Sequence, residues 1–275
     1  MTTPADLVFL KLGGSLITDK DRPYTPRQEV IDRLAGELAS ARAVLPHCRL
    51  ILGHGSGSFG HTAAKEHRTR EGVATPAQWL GFVKVWQEAR ALNEIVVRAL
   101  LGAGLPVIAF PPSAAVTARA GRVERWDLGP IRAALDAGLI PLINGDTIFD
   151  LELGGTILST EDLFLYLARQ FAPRRILLAG IEPGVWADFP ARARLLDEIT
   201  PESLPAARDG IRGSASADVT GGMVEKVRSM LALVDQLPGF EAAIFSGLEP
   251  GAVTQALAGS PPGTIIRKRK ENQVN

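Results

Sequence analysis

At 275 residues, 46% of them hydrophobic and 22% charged, the chain suffices for one large domain or two sharing a sheet, and its composition excludes disorder. Thirty Lys and Arg balance thirty Asp and Glu, so no global field favours nucleic acid or an anionic membrane, and any anion site must be local. The single cysteine, Cys48, excludes an internal disulfide framework and a thiolate metal cluster. No apolar run approaches the roughly 20 residues that span a bilayer. Met1 to Asp6 lacks the basic-then-apolar layout of a secretory signal, so a cytoplasmic location is expected. The basic run 267–270 has no interleaved aromatics and reads as the start of a solvated tail over 268–275, not as a nucleic-acid patch.

In chain order, Leu7 to Leu12 is a short apolar strand broken by Gly13-Gly14-Ser15. Apolar residues at three- and four-residue steps from Val30 to Leu45 predict an amphipathic helix from Pro26. Leu50 to Gly53 is a second strand, followed by a predicted glycine-rich loop, His54-Gly-Ser-Gly-Ser-Phe-Gly-His61. Three glycines there allow positive φ and close approach of a ligand to the main chain. Pro76 to Leu101 is the longest predicted helix, with Thr75 as its cap. A strand from Leu105 to Phe110, a hairpin over 116–126, a helix over 131–137 and a strand over 140–143 follow. A ribbon then joins 147–149 to 156–158. Ser159 caps an acidic first turn of a helix running to Phe171, and a strand over 175–179 precedes a loop at 180–184. Segment 187–218, rich in Pro, Arg and Ala, reads as a mobile excursion. A helix to Leu237, a strand over 242–245, a helix over 252–257 and a strand over 264–266 close the pattern.

Strands alternating with helices predict a largely parallel sheet covered on both faces. Ligands of such sheets sit at the carboxyl ends of the strands. Gly13-Gly14, His54, Asn144-Gly145-Asp146 and Gly180 all fall at such ends. Lys11 interrupts an apolar strand, and a lysine is rarely buried without an anionic partner. With Lys20 just beyond the turn, two glycine loops and two lysines suit phosphoryl transfer, which needs positioning and charge neutralisation more than a covalent nucleophile. There is no P-loop, no zinc spacing, and no dinucleotide fingerprint at the first turn. Trp79, Phe82 and Trp86, with Ile148 and Ile157, are candidates to line an apolar substrate cavity.

Lys11-Leu-Gly-Gly-Ser15, Asp19-Lys20, the 54–61 loop, Gly145-Asp146 and Val219-Thr-Gly-Gly-Met223 with Lys226 together resemble the amino acid kinase superfamily, and within it the isopentenyl phosphate kinases. The resemblance spans about residues 7–266. It implies a three-layer αβα sandwich with a largely parallel central sheet, forming a single domain. An acceptor-binding half (about 1–158) would precede a nucleotide-binding half (about 159–267). It also implies transfer of the γ-phosphoryl group of ATP, with Mg²⁺ carried on the ATP phosphates, to isopentenyl phosphate. The product would serve isoprenoid biosynthesis by an alternative mevalonate route. Dimethylallyl phosphate and related monophosphates are further expected acceptors, and a homodimer is expected.

By motif, Lys11, Lys20 and His61 would be catalytic. Gly55, Ser56, His61 and Thr160 would hold the acceptor, while Gly13, Gly14, Ser15, Gly57, Gly180, Gly221, Gly222 and Lys226 would contact the nucleotide. A phosphate monoester is already mostly ionised at neutral pH, its second pKa being about 6, so His61 is expected to bind the acceptor phosphate and not to abstract a proton. Three departures stand out. Ser56 occupies the middle of the glycine loop, Ser159-Thr-Glu-Asp162 stands where Ser-Gly-Asp-Asp is usual, and 179–185 lacks an aspartate common near the nucleotide. A phosphonate kinase on the same scaffold is the nearest alternative; a non-catalytic nucleotide-binding regulator is another.

Overall fold

The computed structural model describes residues 6–205 and 222–269, without the side chains of 61–63. Alternate residues of each central strand feed opposite faces, and two cores result. In β1 (Leu7–Leu12), Val8 and Leu10 join one core and Phe9 the other. The same alternation holds in β2 (Arg49–His54), where Leu50 and Leu52 oppose Ile51, and in β9 (Arg175–Gly180), where Leu177 opposes Ile176 and Leu178. A period of two, apolar on both faces, is what a strand buried between helices requires.

A one-turn α1 (Gly14–Ile17) follows β1, and one face is covered by α2 (Gln28–Val44), α4 (Pro76–Gly102) and the short α8 (Ala252–Leu257). The other is covered by α5 (Gly129–Asp136), α6 (Thr160–Phe171) and α7 (Gly222–Gln236). The layers are therefore helix, sheet, helix, as expected. Thr75 begins α4 with a reciprocal box to Gln78, and Ser159 begins α6 with one to Asp162.

The eight-stranded sheet runs β12-β14-β13-β9-β1-β2-β6-β3. Here β3 is Val107–Ala109, β6 Ile140–Asn144, β12 Glu198–Ile199, β13 Glu241–Ser246 and β14 Thr264–Arg267. Pairing is parallel from β3 through to β13; β14 runs antiparallel to β13 and carries the parallel β12 at the edge. The predicted hairpin and ribbon become one smaller sheet, β5-β4-β7-β8, from β4 (Val116–Arg119), β5 (Arg122–Trp126), β7 (Asp146–Asp150) and β8 (Gly154–Leu158). Asp150 ties it together, accepting from the amides of Ala120, Gly121, Glu152 and Leu153. These donors outweigh the upward push of partial burial and hold its carboxyl below the usual range.

Two expectations are corrected. Residues 57–61 are not loop: they open α3 (Gly57–His67), leaving only Gly55 and Ser56 between strand and helix. Phe59, 5% exposed, anchors that first turn in the core, which a loose turn would not do. The excursion predicted at 187–218 is only partly irregular, since β10 (Val185–Trp186) pairs with β11 (Leu195–Leu196) and β12 joins the main sheet. Its remainder, 206–218, lies outside the described residues.

Candidate active site

The carboxyl ends of β1, β2, β6 and β9 converge on one cavity of about 200 Å³. The predicted turns meet there: Gly13 and Gly14 after β1, Gly55 and Ser56 after β2, Gly145 after β6, and Gly180 at the end of β9. The first two turns are packed main chain against main chain. A Cβ on Gly14 would lie 2.6 Å from Gly57 Cα, and one on Gly55 would lie 2.8 Å from the Gly14 nitrogen. No side chain fits between them, so the glycines here serve close approach. Gly57 also has φ +49°, and a Cβ on it would collide with the Thr18 hydroxyl. Thr18 Oγ1 donates to Gly14 O (2.7 Å) and accepts from Ser58 N (2.9 Å), locking the two turns in register.

Strand alternation puts Lys11 on the same face as Phe9, towards α6 and α7. There its ammonium meets Glu161 of the first turn of α6 at 2.9 Å, and Lys226 near the start of α7 lies 3.9 Å from the same carboxylate oxygen. Lys11 and Glu161 are 8% and 14% exposed. Burial pushes the Glu161 carboxyl up, but the charges of Lys11 and Lys226 and the Lys11 hydrogen bond prevail, holding it down to about 2. Glu161 was not among the expected site residues. Its signal was the acidic first turn, read there only as helix capping.

Ser15, Lys20, Thr160, Gly222 and Lys226 line the cavity, with Lys20 exposed at its mouth. Gly57 backs the Gly14 turn and does not line the cavity. His61 lies on α3, its side chain outside the described set, and Gly221 lies outside the described residues altogether. Thr160, where a glycine is usual, donates its hydroxyl to the His54 carbonyl at 2.6 Å. Gly53 leaves room for it: a Cβ there would sit 2.6 Å from Thr160 Cγ2. His54 is buried, with Nε2 3.0 Å from Asn93 Oδ1 and Nδ1 3.1 Å from Gly55 O; burial pushes its pKa down and keeps the ring neutral.

The apolar end of the cavity differs from the expectation. Ile157 lines it, but its companions are Ala64, Val85 and Ala89. Trp79 and Phe82 instead cluster with Phe149 at ring separations of 5.2–5.8 Å, away from the cavity. Trp86 packs under the Arg90 guanidinium, and Ile148 is fully buried in the core. The rings of Trp79 and Phe82 fill volume against Phe149, and the apolar end lies where side chains are smaller, while Trp186 and Phe189 line the cavity elsewhere.

Asp146, already placed at a strand end by its motif, lines the site, as do Glu182, Arg192 and Arg70, which the sequence did not single out. Asp146 accepts from Ser113 N (3.1 Å) and Thr147 N (2.8 Å), while burial pushes its carboxyl up. Glu182, in the loop that lacks the usual aspartate, accepts from Trp186 Nε1 (2.9 Å) and pairs with Arg192 (3.2 Å). Arg70 lies in the turn after α3, beside Asp162. Among the described residues, no group of three or more His, Cys, Asp or Glu side chains stands where it could hold a metal ion. No described helix is long and apolar enough to cross a membrane.

This fold, with a lysine-lined, glycine-walled cavity at the strand ends, is a phosphate-handling architecture. The match to the amino acid kinase family covers residues 6–245, and the chain belongs to that family. Its relatives include isopentenyl phosphate kinases. That of Haloferax volcanii is 37% identical over 265 residues, 95% of this chain and 98% of its own. That of Methanothermobacter thermautotrophicus is 34% identical over 264 residues, 92% of this chain and 96% of its own. A solved isopentenyl phosphate kinase structure superposes with a TM-score of 0.80 at 31% identity, covering 94% of this chain and 99% of that one.

Proposed function

We propose that the protein transfers the γ-phosphoryl group of ATP to isopentenyl phosphate, giving isopentenyl diphosphate and ADP. The observation that carries the proposal is the division of one cavity into a cationic, glycine-walled end and an apolar end of Ala64, Val85, Ala89 and Ile157. An acceptor with a phosphate head and a short hydrocarbon tail suits that division. A carboxylate acceptor such as glutamate gives no use to the apolar end. The similarity to enzymes named isopentenyl phosphate kinase supports the same reading.

In this reading Lys11 and Lys226 meet the donor phosphates, and Glu161 holds both ammonium groups in place before the nucleotide arrives. The backbone of Gly13, Gly14 and Ser15 lines the donor side, with Gly180, Gly222 and, by motif, Gly221. Lys20, exposed at the mouth, stabilises charge on the group in flight. Ser56, Gly55, Thr160 and His61 hold the acceptor phosphate, which needs no general base because its oxygen is already ionised. The half before α6 thus supplies most of the acceptor residues and the half from α6 onward the rest of the nucleotide side, while Lys11 and the Gly13–Ser15 turn reach across to the donor and Thr160 to the acceptor. Mg²⁺ carried on the ATP phosphates would add charge neutralisation at the cationic end. A cytoplasmic homodimer and tolerance of dimethylallyl phosphate belong to the same proposal. The exposed apolar side chains of Leu80, Val83 and Phe149 offer a dimer contact.

An acceptor panel with ATP and Mg²⁺ tests the assignment: isopentenyl phosphate is expected to give the highest kcat/KM over dimethylallyl phosphate, fosfomycin, uridylate and glutamate. Turnover of fosfomycin without isopentenyl phosphate would overturn it. His61→Ala is expected to raise the acceptor KM and lower kcat steeply with ATP affinity nearly intact; a collapse of ATP affinity would put His61 on the donor side.

A further inference from the structure

Among the described residues, five cationic side chains line the cavity, and four have a place in the account above or a carboxylate beside them on the nucleotide side. Lys11 and Lys226 share Glu161, Lys20 stands at the mouth, and Arg192 pairs with Glu182. The fifth, Arg70, is on the acceptor side. Helix α3 ends at His67, Arg68 turns the chain in a left-handed conformation, and Thr69–Glu71 forms a 3₁₀ turn. That turn is fixed from below: Thr69 is buried, and Thr156 on β8 donates its hydroxyl to the Arg70 carbonyl at 3.1 Å. The Arg70 backbone is therefore held one residue along β8 from Ile157 of the apolar end.

Its guanidinium reaches the N-terminal turn of α6. Arg70 Nη2 is 3.4 Å from Asp162 Oδ2, and that oxygen accepts from Ser159 N at 2.9 Å. Two contacts through one carboxylate oxygen thus separate the guanidinium from the amide that precedes Thr160. The Asp162 contact is long for a charge-assisted bond, and this carboxylate is already engaged by Ser159 N and Ser159 Oγ. A phosphate dianion at the α6 N-terminus would be the stronger partner, because a planar guanidinium matches its oxygens two at a time.

Resting on the acceptor reading above, we propose that Arg70 binds the acceptor phosphate. Asp162 holds its guanidinium ready at the N-terminus of α6, between the phosphate position and the apolar tail pocket. The chain thereby selects phosphate monoesters carrying a tail over acceptors with one negative charge.

The test is calorimetric binding of isopentenyl phosphate and, separately, of ATP to the wild type, Arg70→Gln and Arg70→Lys, with melting temperatures and steady-state kinetics on the same preparations. Loss of one charge-assisted contact predicts that Arg70→Gln weakens isopentenyl phosphate binding by about 10- to 100-fold. ATP binding is expected to change by less than about twofold, and Arg70→Lys to recover part of the loss, because it restores charge without the fork. Unchanged isopentenyl phosphate binding in Arg70→Gln overturns the proposal while leaving the proposed reaction standing. Equal losses for ATP and acceptor, with a lowered melting temperature that Arg70→Lys does not restore, make the residue structural and also overturn it. A wild type that binds isopentenyl phosphate in an Arg70-dependent way yet transfers nothing to it keeps Arg70 as the phosphate anchor and overturns only the reaction.

Discussion

Replacing Glu161 by Gln keeps the side chain's shape and one acceptor oxygen but removes the charge between Lys11 and Lys226. The Glu161 carboxyl is held at about 2, against 4.5 for the unperturbed group. At 1.36 kcal/mol per pKa unit, that difference corresponds to about 3 kcal/mol of folding stability at neutral pH. The value is of the order expected when one member of a buried pair is removed, roughly 3–5 kcal/mol. The sign follows from the depressed value: the contribution is complete above the unfolded pKa near 4.5 and is lost as pH falls towards about 2. Between those limits the unfolded chain binds a proton that the folded one does not, so the wild type loses about 1.4 kcal/mol per pH unit from this group and the variant does not. Urea unfolding of both proteins from pH 7 to pH 3 measures this directly. The expected outcome is a gap of about 3 kcal/mol, constant above pH 5.5 and narrowing below 4.5. A gap under about 1 kcal/mol at pH 7, or one that does not change with pH, would refute the lysine-clamp reasoning.

Two other substitutions probe the geometry. Gly57→Ala forces a left-handed residue and drives a Cβ into Thr18 Oγ1 and to 2.7 Å from Gly14 O; a loss of at least about 1–2 kcal/mol is expected in urea unfolding, together with lost turnover, as the two turns separate. Ala89→Leu fills the apolar end, so the KM for isopentenyl phosphate is expected to rise at least about tenfold with little change for ATP; equal kinetics for the two proteins would place the tail elsewhere.

Much of the architecture was legible because periodicity reports burial. Runs such as Val8 to Leu10 and Ile176 to Ala179 read as strands apolar on both faces, and the two cores bear this out. Lys11 was legible for a related reason: a charge within such a run demands a partner. The partner itself was not, because Glu161 lies about 150 residues further on, where an acidic helix start has an ordinary local explanation. The glycine stretch misled in the opposite way. Glycines suggested a loose loop at 57–61, whereas Gly57 and Gly60 admit close neighbours, Gly14 and Ser56 among them, at the start of a helix. The tail pocket was misjudged by searching for large apolar residues. Trp79 and Phe82 find better contacts with one another and with Phe149, and the space left for a ligand is bounded by Ala64 and Ala89.

The central claim is that this cavity joins an ATP-derived phosphoryl group to the phosphate of isopentenyl phosphate. Phosphorus NMR of the purified protein with ATP, Mg²⁺ and isopentenyl phosphate tests it most directly. The account predicts loss of the monophosphate resonance and growth of two coupled diphosphate resonances matched one-for-one by ADP. An unchanged monophosphate resonance while ATP is hydrolysed, or while fosfomycin is consumed in its place, would contradict it.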